Sequence, residues 1–195
     1  MGIIVALLGK SASGKDTMMS KLISRLGFFR VLPVTTRPMR PGEENGRDYE
    51  FVSREEFEKM DRSGRFIESR EYHTLFDGNP DVWYYATARD SIDLEKGNYT
   101  AIVDLAALGA IKAEFGGSVV AVFLDVPETV RKKRCFSRGG FSSEEWDRRE
   151  ADDRKKYTPE AISGNIDILL TSTETDVSFG ELERYLKGTG RIEIE

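Results

Sequence analysis

The feature that most constrains this chain is a glycine-framed loop directly after a short apolar segment. Residues 3–8 are uniformly apolar, and Gly9, Gly14 and Lys15 follow them in the spacing Gly-x-x-x-x-Gly-Lys. This spacing, between a buried strand and a helix, is typical of a phosphate-binding loop. The sequence therefore predicts an α/β fold that holds the phosphates of a nucleotide.

The residue types in this loop suit the binding of an anion. Glycine allows a tight turn that points successive backbone N–H groups inward, and a helix beginning near Asp16 adds the positive end of its dipole. Lys15 supplies a mobile ammonium group for the terminal phosphates. We predict that these residues bind the phosphates of a nucleotide: Gly9, Ser11, Ala12, Ser13, Gly14, Lys15, Asp16 and Thr17.

Asp16 departs from the usual loop pattern, in which Ser or Thr after the lysine reaches a magnesium ion. Thr17 follows one place later and is a candidate for that role. A carboxylate beside phosphate is repelled unless Mg²⁺ lies between them, so one interpretation makes Asp16 a ligand of the metal or of its waters. The other makes it an acid of the first helical turn, which the helix dipole favours.

The composition excludes several classes of protein. The chain has 195 residues with one cysteine and one histidine, so a disulfide framework or a Cys/His zinc site within one chain is excluded. The net charge of −5 argues against nucleic acid as a partner. No apolar run approaches the length of about 20 residues that spans a bilayer, and the start lacks a basic signal segment. We expect a cytoplasmic protein without a membrane partner.

Apolar segments alternate with helical patterns along most of the chain, which predicts a parallel sheet with helices on both faces. The predicted fold class is α/β, a three-layer α/β/α arrangement around a five-stranded parallel sheet. The predicted strands are 3–8, 29–33, 99–104, 119–124 and 166–170, and the predicted helices include 16–26, 106–115, 127–136 and 177–186. A charged helix is expected to begin at Ser142, which heads a capping box with Glu145.

Residues 35–98 differ from the rest of the chain. Short strands are predicted at 49–52, 66–72 and 83–88, with one helix that begins after a capping box formed by Ser53 and Glu56. We interpret this segment as an inserted α+β lobe. The predicted organisation is a core of residues 1–34 and 99–195, interrupted by the lobe at 35–98.

The segment 35–52, Thr-Thr-Arg-Pro-Met-Arg-Pro-Gly-Glu-Glu-Asn-Gly-Arg-Asp-Tyr-Glu-Phe-Val, closely resembles the GMP-binding segment of guanylate kinases. Further similar motifs follow in the same order: Phe66-Ile67-Glu68, Tyr85-Ala86-Thr87, Ile102-Val103-Asp104 with Gly109, and an arginine-rich segment near 137–149. The resemblance extends over about residues 3–187. It implies a kinase that uses ATP and Mg²⁺ to phosphorylate GMP or dGMP, as a monomer or homodimer.

The resemblance also implies roles for individual residues. Arg37 and Arg40 would clamp the acceptor phosphate with Tyr49 and Tyr85, and a planar guanidinium suits that task. Glu68 would accept from guanine N1 and N2. The full set implied to bind GMP is Thr36, Arg37, Arg40, Tyr49, Glu68, Tyr85, Thr87 and Asp104.

A lid at about 137–149 would close over the phosphates. Catalytic roles are implied for Lys15, Arg134, Arg138 and Arg149, which would neutralise the charge that spreads during phosphoryl transfer. Asp16, Thr17 and Asp104 are the candidate metal ligands. Arg148 and Arg149 have the alternative of pairing with Glu144, Glu145 or Asp152 at helical spacing.

Several positions depart from the family pattern. The second acid of the usual Asp-x-Asp pair is Ala106, and extra residues separate Gly78 from Tyr85. Two other functions therefore stay open. Gly14-Lys15-Asp16 also resembles the ribose bisphosphate kinases of phosphonate metabolism, which act on another small acceptor. A non-catalytic guanylate kinase-like binding module is the third possibility, although such modules usually lose the phosphate loop.

Overall fold

The core of the molecule is a five-stranded sheet whose neighbouring strands are all parallel, in the order β2-β7-β1-β8-β9. The computed structural model describes residues 2–76, 79–137 and 142–192. The strands of this sheet are β1 (Ile4–Leu8), β2 (Phe29–Arg30), β7 (Tyr99–Ile102), β8 (Val119–Leu124) and β9 (Ile168–Leu170). The predicted five-stranded parallel sheet is confirmed.

Helices cover both faces of this sheet. Their bounds are α1 (Lys15–Leu26), α3 (Leu105–Phe115), α4 (Glu128–Ser137), α5 (Ser143–Lys156), α6 (Pro159–Ser163) and α7 (Thr175–Gly188). Every residue of β1 is buried, and its alternate side chains enter two separate apolar clusters. One cluster contains residues of α3, and the other contains residues of α1 and α7. This alternation produces the predicted three layers.

Because the strands are parallel, their carboxyl ends meet at one edge of the sheet, where ligands of such sheets bind. Leu8, the last residue of β1, is in register with Phe123 of β8, while Leu7 is in register with Ile102 of β7. The glycine-framed loop after β1 therefore emerges beside Asp104, which follows β7. The neighbouring strands thus bring the loop and this carboxylate to the same edge.

A second, four-stranded sheet lies within residues 34–88. Its strand order is β4-β3-β6-β5, formed by β3 (Val34–Thr35), β4 (Glu50–Phe51), β5 (Phe66–Phe76) and β6 (Asn79–Ala88), and the helix α2 (Arg54–Arg62) packs beside it. Phe57 of α2 packs on Phe66, with ring centroids 4.7 Å apart. The capping box of Ser53 and Glu56 is confirmed, since both of its reciprocal hydrogen bonds are present.

The hairpin of β5 and β6 is longer than the sequence analysis predicts. The predicted strands 66–72 and 83–88 extend to Phe76 and begin at Asn79, and the pairing continues to this end. Trp83 accounts for part of the extension, because its ring stacks on Tyr72 at 6.3 Å and meets the edge of Phe76 at 6.0 Å. Cross-strand aromatic pairs of this kind stabilise a hairpin.

Two local predictions on the carboxyl-terminal side need correction. Ser142 caps α5 by accepting from Glu145 N, but the Glu145 carboxylate binds Arg148 and Arg149, so only half of the predicted capping box is described. The short helix α6 was missed, although Thr158 as cap and Pro159 in the first turn are helix-start signals. Among the described residues, no helix combines the length and apolar character needed to cross a bilayer.

Candidate active site

The loop between β1 and α1 has the backbone that its glycines predict. Gly9 has a φ of 148°, and a Cβ there would lie 2.7 Å from Ser13 Oγ and 2.8 Å from the Leu124 carbonyl oxygen. Gly14 has a φ of 101° and precedes α1 in the left-handed conformation. Ala12, with a φ of 61°, is the one non-glycine residue of the described chain with a positive φ. Such backbone strain is concentrated at functional sites.

Lys15 folds back onto the loop. Its Nζ donates to the carbonyl oxygens of Gly9 at 2.7 Å and Lys10 at 3.0 Å. The hydroxyl of Ser13 is buried and has no hydrogen-bond partner within the described residues. A buried hydroxyl of this kind needs a polar partner, and a phosphate oxygen is one that fits the loop.

Two helices hold this loop from the carboxyl-terminal part of the chain. Arg131 of α4 is buried and donates through Nη1 to Ser11 O at 3.2 Å and through Nε to Val126 O at 2.9 Å. Its Nη2 lies 2.9 Å from Glu150 of α5, which is also buried. The Ser11 N–H donates to the Asp153 carboxylate at 2.6 Å. Side chains of α4 and α5 thus bind both sides of Ser11.

The arginines predicted to be catalytic fall in three different situations. Arg134 Nη1 donates to Ser13 O at 3.2 Å, and its Nη2 donates to Thr173 O, so it lies at the loop. Arg149 Nε donates to Glu145 at 2.6 Å, which agrees with the alternative of a helical pair. Arg138 lies outside the described residues.

A cleft of about 490 Å³ opens between the first turn of α1, directly after the loop, and the second sheet. Residues of the core and of the lobe line it, among them Asp16, Arg40, Tyr49, Arg70, Tyr85, Asp104 and Lys156. It contains four cationic and several acidic side chains, together with aromatic rings. The size and polarity of the cleft suit a small, charged ligand placed next to the loop.

Arg37 is the most buried charged residue at the lobe end of this site, with 3% of its side chain exposed. Its Nη1 and Nη2 donate to the two carboxylate oxygens of Glu43 at 2.9 and 2.8 Å, and its guanidinium lies 5.1 Å from the Tyr49 ring centre. Burial disfavours the charged guanidinium, but its hydrogen bonds to the Glu43 carboxylate outweigh burial and raise the pKa of Arg37. Arg37 is therefore a fixed cation.

The remaining predicted phosphate ligands are distributed around Arg37. Tyr49 and Tyr85 approach edge to face, with centroids 6.2 Å apart, and burial raises the pKa of the Tyr85 hydroxyl. Arg40 is exposed; its backbone N–H donates to the Glu43 carboxylate at 2.8 Å, and its carbonyl oxygen accepts from Glu43 N at 3.1 Å. The Thr36 hydroxyl accepts from Tyr84 N at 2.9 Å, so it holds two strands together.

The two residues predicted to recognise the base lie beside the cleft, next to Arg70, which lines it. The Thr87 hydroxyl donates to Glu68 Oε1 at 2.7 Å, and both residues line a small pocket of about 30 Å³. They face each other in register across β5 and β6. The structure thus brings Glu68 and Thr87 together, with the hydroxyl oriented toward the carboxylate.

Asp104 lies between this pocket and the loop. It caps α3 by accepting from Ala107 N at 3.0 Å, and its Oδ2 lies 2.7 Å from Lys156 Nζ and 3.8 Å from Arg70 Nη1. Burial by itself favours the neutral acid, but the Ala107 and Lys156 bonds and the Arg70 charge outweigh it and lower the pKa of Asp104. The group is therefore a carboxylate at neutral pH.

The predicted metal ligands are only partly gathered. Asp16 and Asp104 line the same cleft, whereas Thr17 is exposed and is not among its lining residues. Within the described ranges, no group of three or more acidic, histidine or cysteine side chains is arranged to hold a metal. Two carboxylates are nevertheless the set that Mg²⁺ uses when substrate phosphates and water complete its shell.

The comparison with known families agrees with this geometry. A family model described as guanylate kinase matches residues 2–189. The chain belongs to the guanylate kinase family. It is 38% identical over 148 residues to the guanylate kinase of Chlorobaculum tepidum, a match that covers 73% of this chain and 72% of that protein. It is 34% identical over 192 residues to the guanylate kinase of Trichormus variabilis, covering 96% and 90% of the two chains.

Solved structures share the fold of this guanylate kinase family member. The crystal structure of guanylate kinase from Anaplasma phagocytophilum superposes with a TM-score of 0.64 at 23% identity, covering 96% of this chain and 86% of that one. An uncharacterized protein from Eubacterium ventriosum gives a TM-score of 0.56 at 13% identity, covering 94% of this chain and 98% of that one. Both of these proteins share the α/β fold of this chain.

Three residues of this guanylate kinase family member contribute to the site without having been singled out from the sequence. Arg131 is buried against the loop. Its position four residues before the buried Cys135, on the same helix face, was the available signal. Arg70 and Lys156 flank Asp104, and no local pattern distinguishes them from ordinary surface cations.

Proposed function

We propose that this protein transfers the γ-phosphoryl group of ATP to GMP or dGMP, giving ADP and GDP or dGDP. The observation that carries the proposal is the position of the cleft. It joins Asp16, which directly follows the phosphate loop, to the cations, hydroxyls and carboxylates of the lobe, so a donor and an acceptor nucleotide can meet within one chain. Membership of the guanylate kinase family supports this assignment.

The donor would be held by the loop. We assign Gly9, Ser11, Ala12, Ser13, Gly14, Lys15, Asp16 and Thr17 to ATP. Lys15 would exchange the two loop carbonyls for phosphate oxygens, and the buried Ser13 hydroxyl would gain the partner that it lacks. Backbone N–H groups and the start of α1 would supply the rest of the anion site.

The acceptor would lie across the cleft. We assign Arg37, Arg40, Tyr49 and Tyr85 to its phosphate, with Arg37 preordered by Glu43. At the other end, Glu68 would accept from guanine N1 and N2, while Thr87 holds that carboxylate in place. Thr36 supports the site by joining β3 to β6. We propose residues 35–98 as the acceptor-binding lobe and 1–34 with 99–195 as the core.

Phosphoryl transfer requires alignment and charge neutralisation more than a side-chain nucleophile. Asp16 and Asp104, with Thr17 as a further candidate, would hold Mg²⁺, which would offset the negative charge of the phosphates. Arg134 already lies at the loop, and Arg149, with Arg138, would join it from the lid at about 137–149. Closure of the lid would exclude water, a competing acceptor.

Two further statements follow from this assignment. Because one chain contributes all the residues named, the reaction requires no second copy, although a homodimer of complete sites would work equally well. Because ATP and GMP are metabolites of the cytoplasm, we place the enzyme there. The proposed substrates are small nucleotides, in keeping with a net charge of −5 that does not favour nucleic acid.

An ADP-release assay with ATP and Mg²⁺ tests the proposal directly. The acceptors to compare are GMP, dGMP, AMP, CMP, UMP and ribose 1,5-bisphosphate. We expect GMP and dGMP to be the fastest, by at least about tenfold in kcat/KM. Turnover confined to ribose 1,5-bisphosphate would identify a different small-acceptor kinase. No turnover with any acceptor would overturn the enzymatic assignment in favour of a binding module.

A further inference from the structure

Arg70 occupies a central position on the face of the hairpin that borders the cleft. In β5, Glu68, Arg70 and Tyr72 alternate along one side of the strand, in register with Thr87, Tyr85 and Trp83 of β6. Arg70 lies between the proposed base pocket and the proposed phosphate region, and it lines both the 490 Å³ cleft and the smaller pocket. Its guanidinium lies 5.8 Å from the centre of the Tyr85 ring.

The charges around Arg70 keep its guanidinium in this place. Nη1 lies 3.7 Å from Glu68 Oε2 and 3.8 Å from Asp104 Oδ2. Both distances are beyond hydrogen-bond length, so the two carboxylates attract the cation without saturating its N–H groups. Arg70 can therefore donate to a ligand that enters beside Glu68.

Guanine needs hydrogen-bond donors at this end of the cleft as well as the Glu68 acceptor. Guanine presents N1–H and an amino group as donors, and O6 and N7 as acceptors. The Glu68 carboxylate can accept hydrogen bonds from N1–H and the amino group. The single hydroxyl proton of Thr87 is committed to Glu68 Oε1 at 2.7 Å, and Ala106 has no polar side-chain atom. Thus Arg70 is the nearby side chain whose chemistry matches O6 and N7.

We propose that Arg70 determines base specificity by donating to O6 or N7 of the acceptor purine, as the complement of Glu68. The inference rests on the proposed function and deepens it. Arginine forms paired hydrogen bonds with guanine O6 and N7 because its planar fork matches their spacing. Adenine carries an amino donor in place of O6, and this donor cannot form a hydrogen bond with the N–H groups of Arg70. One cation would thereby favour guanine and disfavour adenine.

Substitution of Arg70 separates base recognition from a general structural effect. We expect Arg70→Ala to lower kcat/KM for GMP by about 10- to 100-fold, mainly through KM. IMP keeps both O6 and N7 and should lose a similar factor. AMP lacks the O6 acceptor and should lose less than about threefold, so the preference for GMP over AMP should fall by about 10-fold or more.

Two control variants keep this test interpretable. Arg54→Ala removes an arginine that lies 5.0 Å from the Tyr84 ring centre and donates to the Tyr84 hydroxyl, outside the lining of the cleft, and should change none of these ratios. Arg70→Lys keeps the positive charge between the two carboxylates but loses the planar guanidinium. It should therefore fold normally and recover only part of the kcat/KM for GMP.

The outcomes distinguish failure of the inference from failure of the proposed function. Calorimetric binding of GMP to the wild type and to Arg70→Ala should show the same loss as KM. Equal losses for GMP and AMP, or an unchanged KM for GMP, would overturn the role of Arg70 while leaving the kinase intact. A wild-type protein that neither binds nor phosphorylates GMP would overturn the proposed function, and the inference with it.

Discussion

The loop after β1 and the acceptor lobe present charged ligands with two different kinds of site. In the loop, the groups that would meet phosphate are mostly backbone, and Lys15 rests on the carbonyls of Gly9 and Lys10. In the lobe, they are side chains that already pair with one another, such as Arg37 with Glu43 and Arg70 with Glu68. The conformation of the loop depends on the packed core, whereas the positions of the lobe side chains depend on pairing between opposite charges.

This difference determines what ligand binding must change in each region. The loop follows a completely buried strand, so its conformation exists before the nucleotide arrives. In the lobe, Arg37 is fixed by its bidentate pair with Glu43, whereas Arg70 of the lobe and Lys156 of the core contact Asp104 from partly exposed positions. An acceptor would exchange those outer ion pairs for its own contacts, while Arg37 stays in place.

The largest expected effect comes from the loop. Lys15→Ala should lower kcat by about 10²- to 10³-fold, because its charge matters most where negative charge develops in the transition state. The KM for GMP should change by less than about threefold, since the lobe is untouched. Steady-state kinetics with GMP measure both constants.

A matched control for Lys15 is available on the same helix. Lys21 pairs with Asp176 at 2.7 Å, away from the loop, and Lys21→Ala should keep near-native kcat. If Lys15→Ala also retained near-native turnover, the assignment of the loop to catalysis would be lost.

An intermediate effect is expected from the lobe. Glu43→Gln removes the negative charge that holds the Arg37 fork, and the KM for GMP should rise about tenfold with kcat reduced less than about threefold. The KM for ATP should stay the same, because the loop does not depend on this pair. Kinetics at saturating ATP and at saturating GMP measure the two values.

Glu44→Gln is the control for this prediction, since Glu44 forms an exposed pair with Arg47 at 2.7 Å in the same segment. It should change neither constant appreciably. An equal rise in the KM for ATP and for GMP after Glu43→Gln would contradict the division between the two regions.

The smallest expected effect concerns the acid stability of α5. Hydrogen bonds from Arg148, with those from Arg149, lower the pKa of Glu145 to about 2. A carboxyl with a lowered folded-state pKa contributes its stability above the ordinary value near 4.5 and loses it as the pH falls toward 2. Glu145→Gln should therefore lower the free energy of unfolding at pH 7 by less than about 1 kcal/mol, because solvent screens this pair.

Urea unfolding at pH 7 and near pH 2 measures this effect. The difference between wild type and Glu145→Gln should vanish at the lower pH. Glu55→Gln, which removes an exposed pair with Lys59 on α2, serves as the control. A difference that grew as the pH fell would contradict the sign of the argument.

The core could be predicted from the sequence because each of its elements carries a local signal. Uniformly apolar segments mark the buried strands, and the Gly9–Lys15 spacing marks the loop. The full length of the hairpin was not predicted, because its outer ends are polar in sequence and depend on contacts between Tyr72, Phe76 and Trp83. The bounds of α7 differ from the predicted ones by two residues at each end, and β2 ends at Arg30, three residues before its predicted end.

Some side chains of the site also carry a local sequence signal, and others do not. Lys15 and Arg37 stand in motifs whose spacing predicts their roles, and the roles themselves stay predictions. Arg131 was not predicted to be a site residue, because its burial depends on Glu150, a residue of a different helix. Arg70 gave no signal because a polar residue in an alternating strand is ordinary. Only the three-dimensional arrangement shows that it lies between Glu68 and Asp104.

The central claim is that the two regions cooperate to move a phosphoryl group from ATP to GMP. Its most direct test uses ATP labelled with oxygen-18 on the γ-phosphoryl group, incubated with GMP and Mg²⁺ and analysed by mass spectrometry. We predict that the label appears in the β-phosphate of GDP, with little in inorganic phosphate. Label found only in inorganic phosphate, with GMP unchanged, would contradict the account.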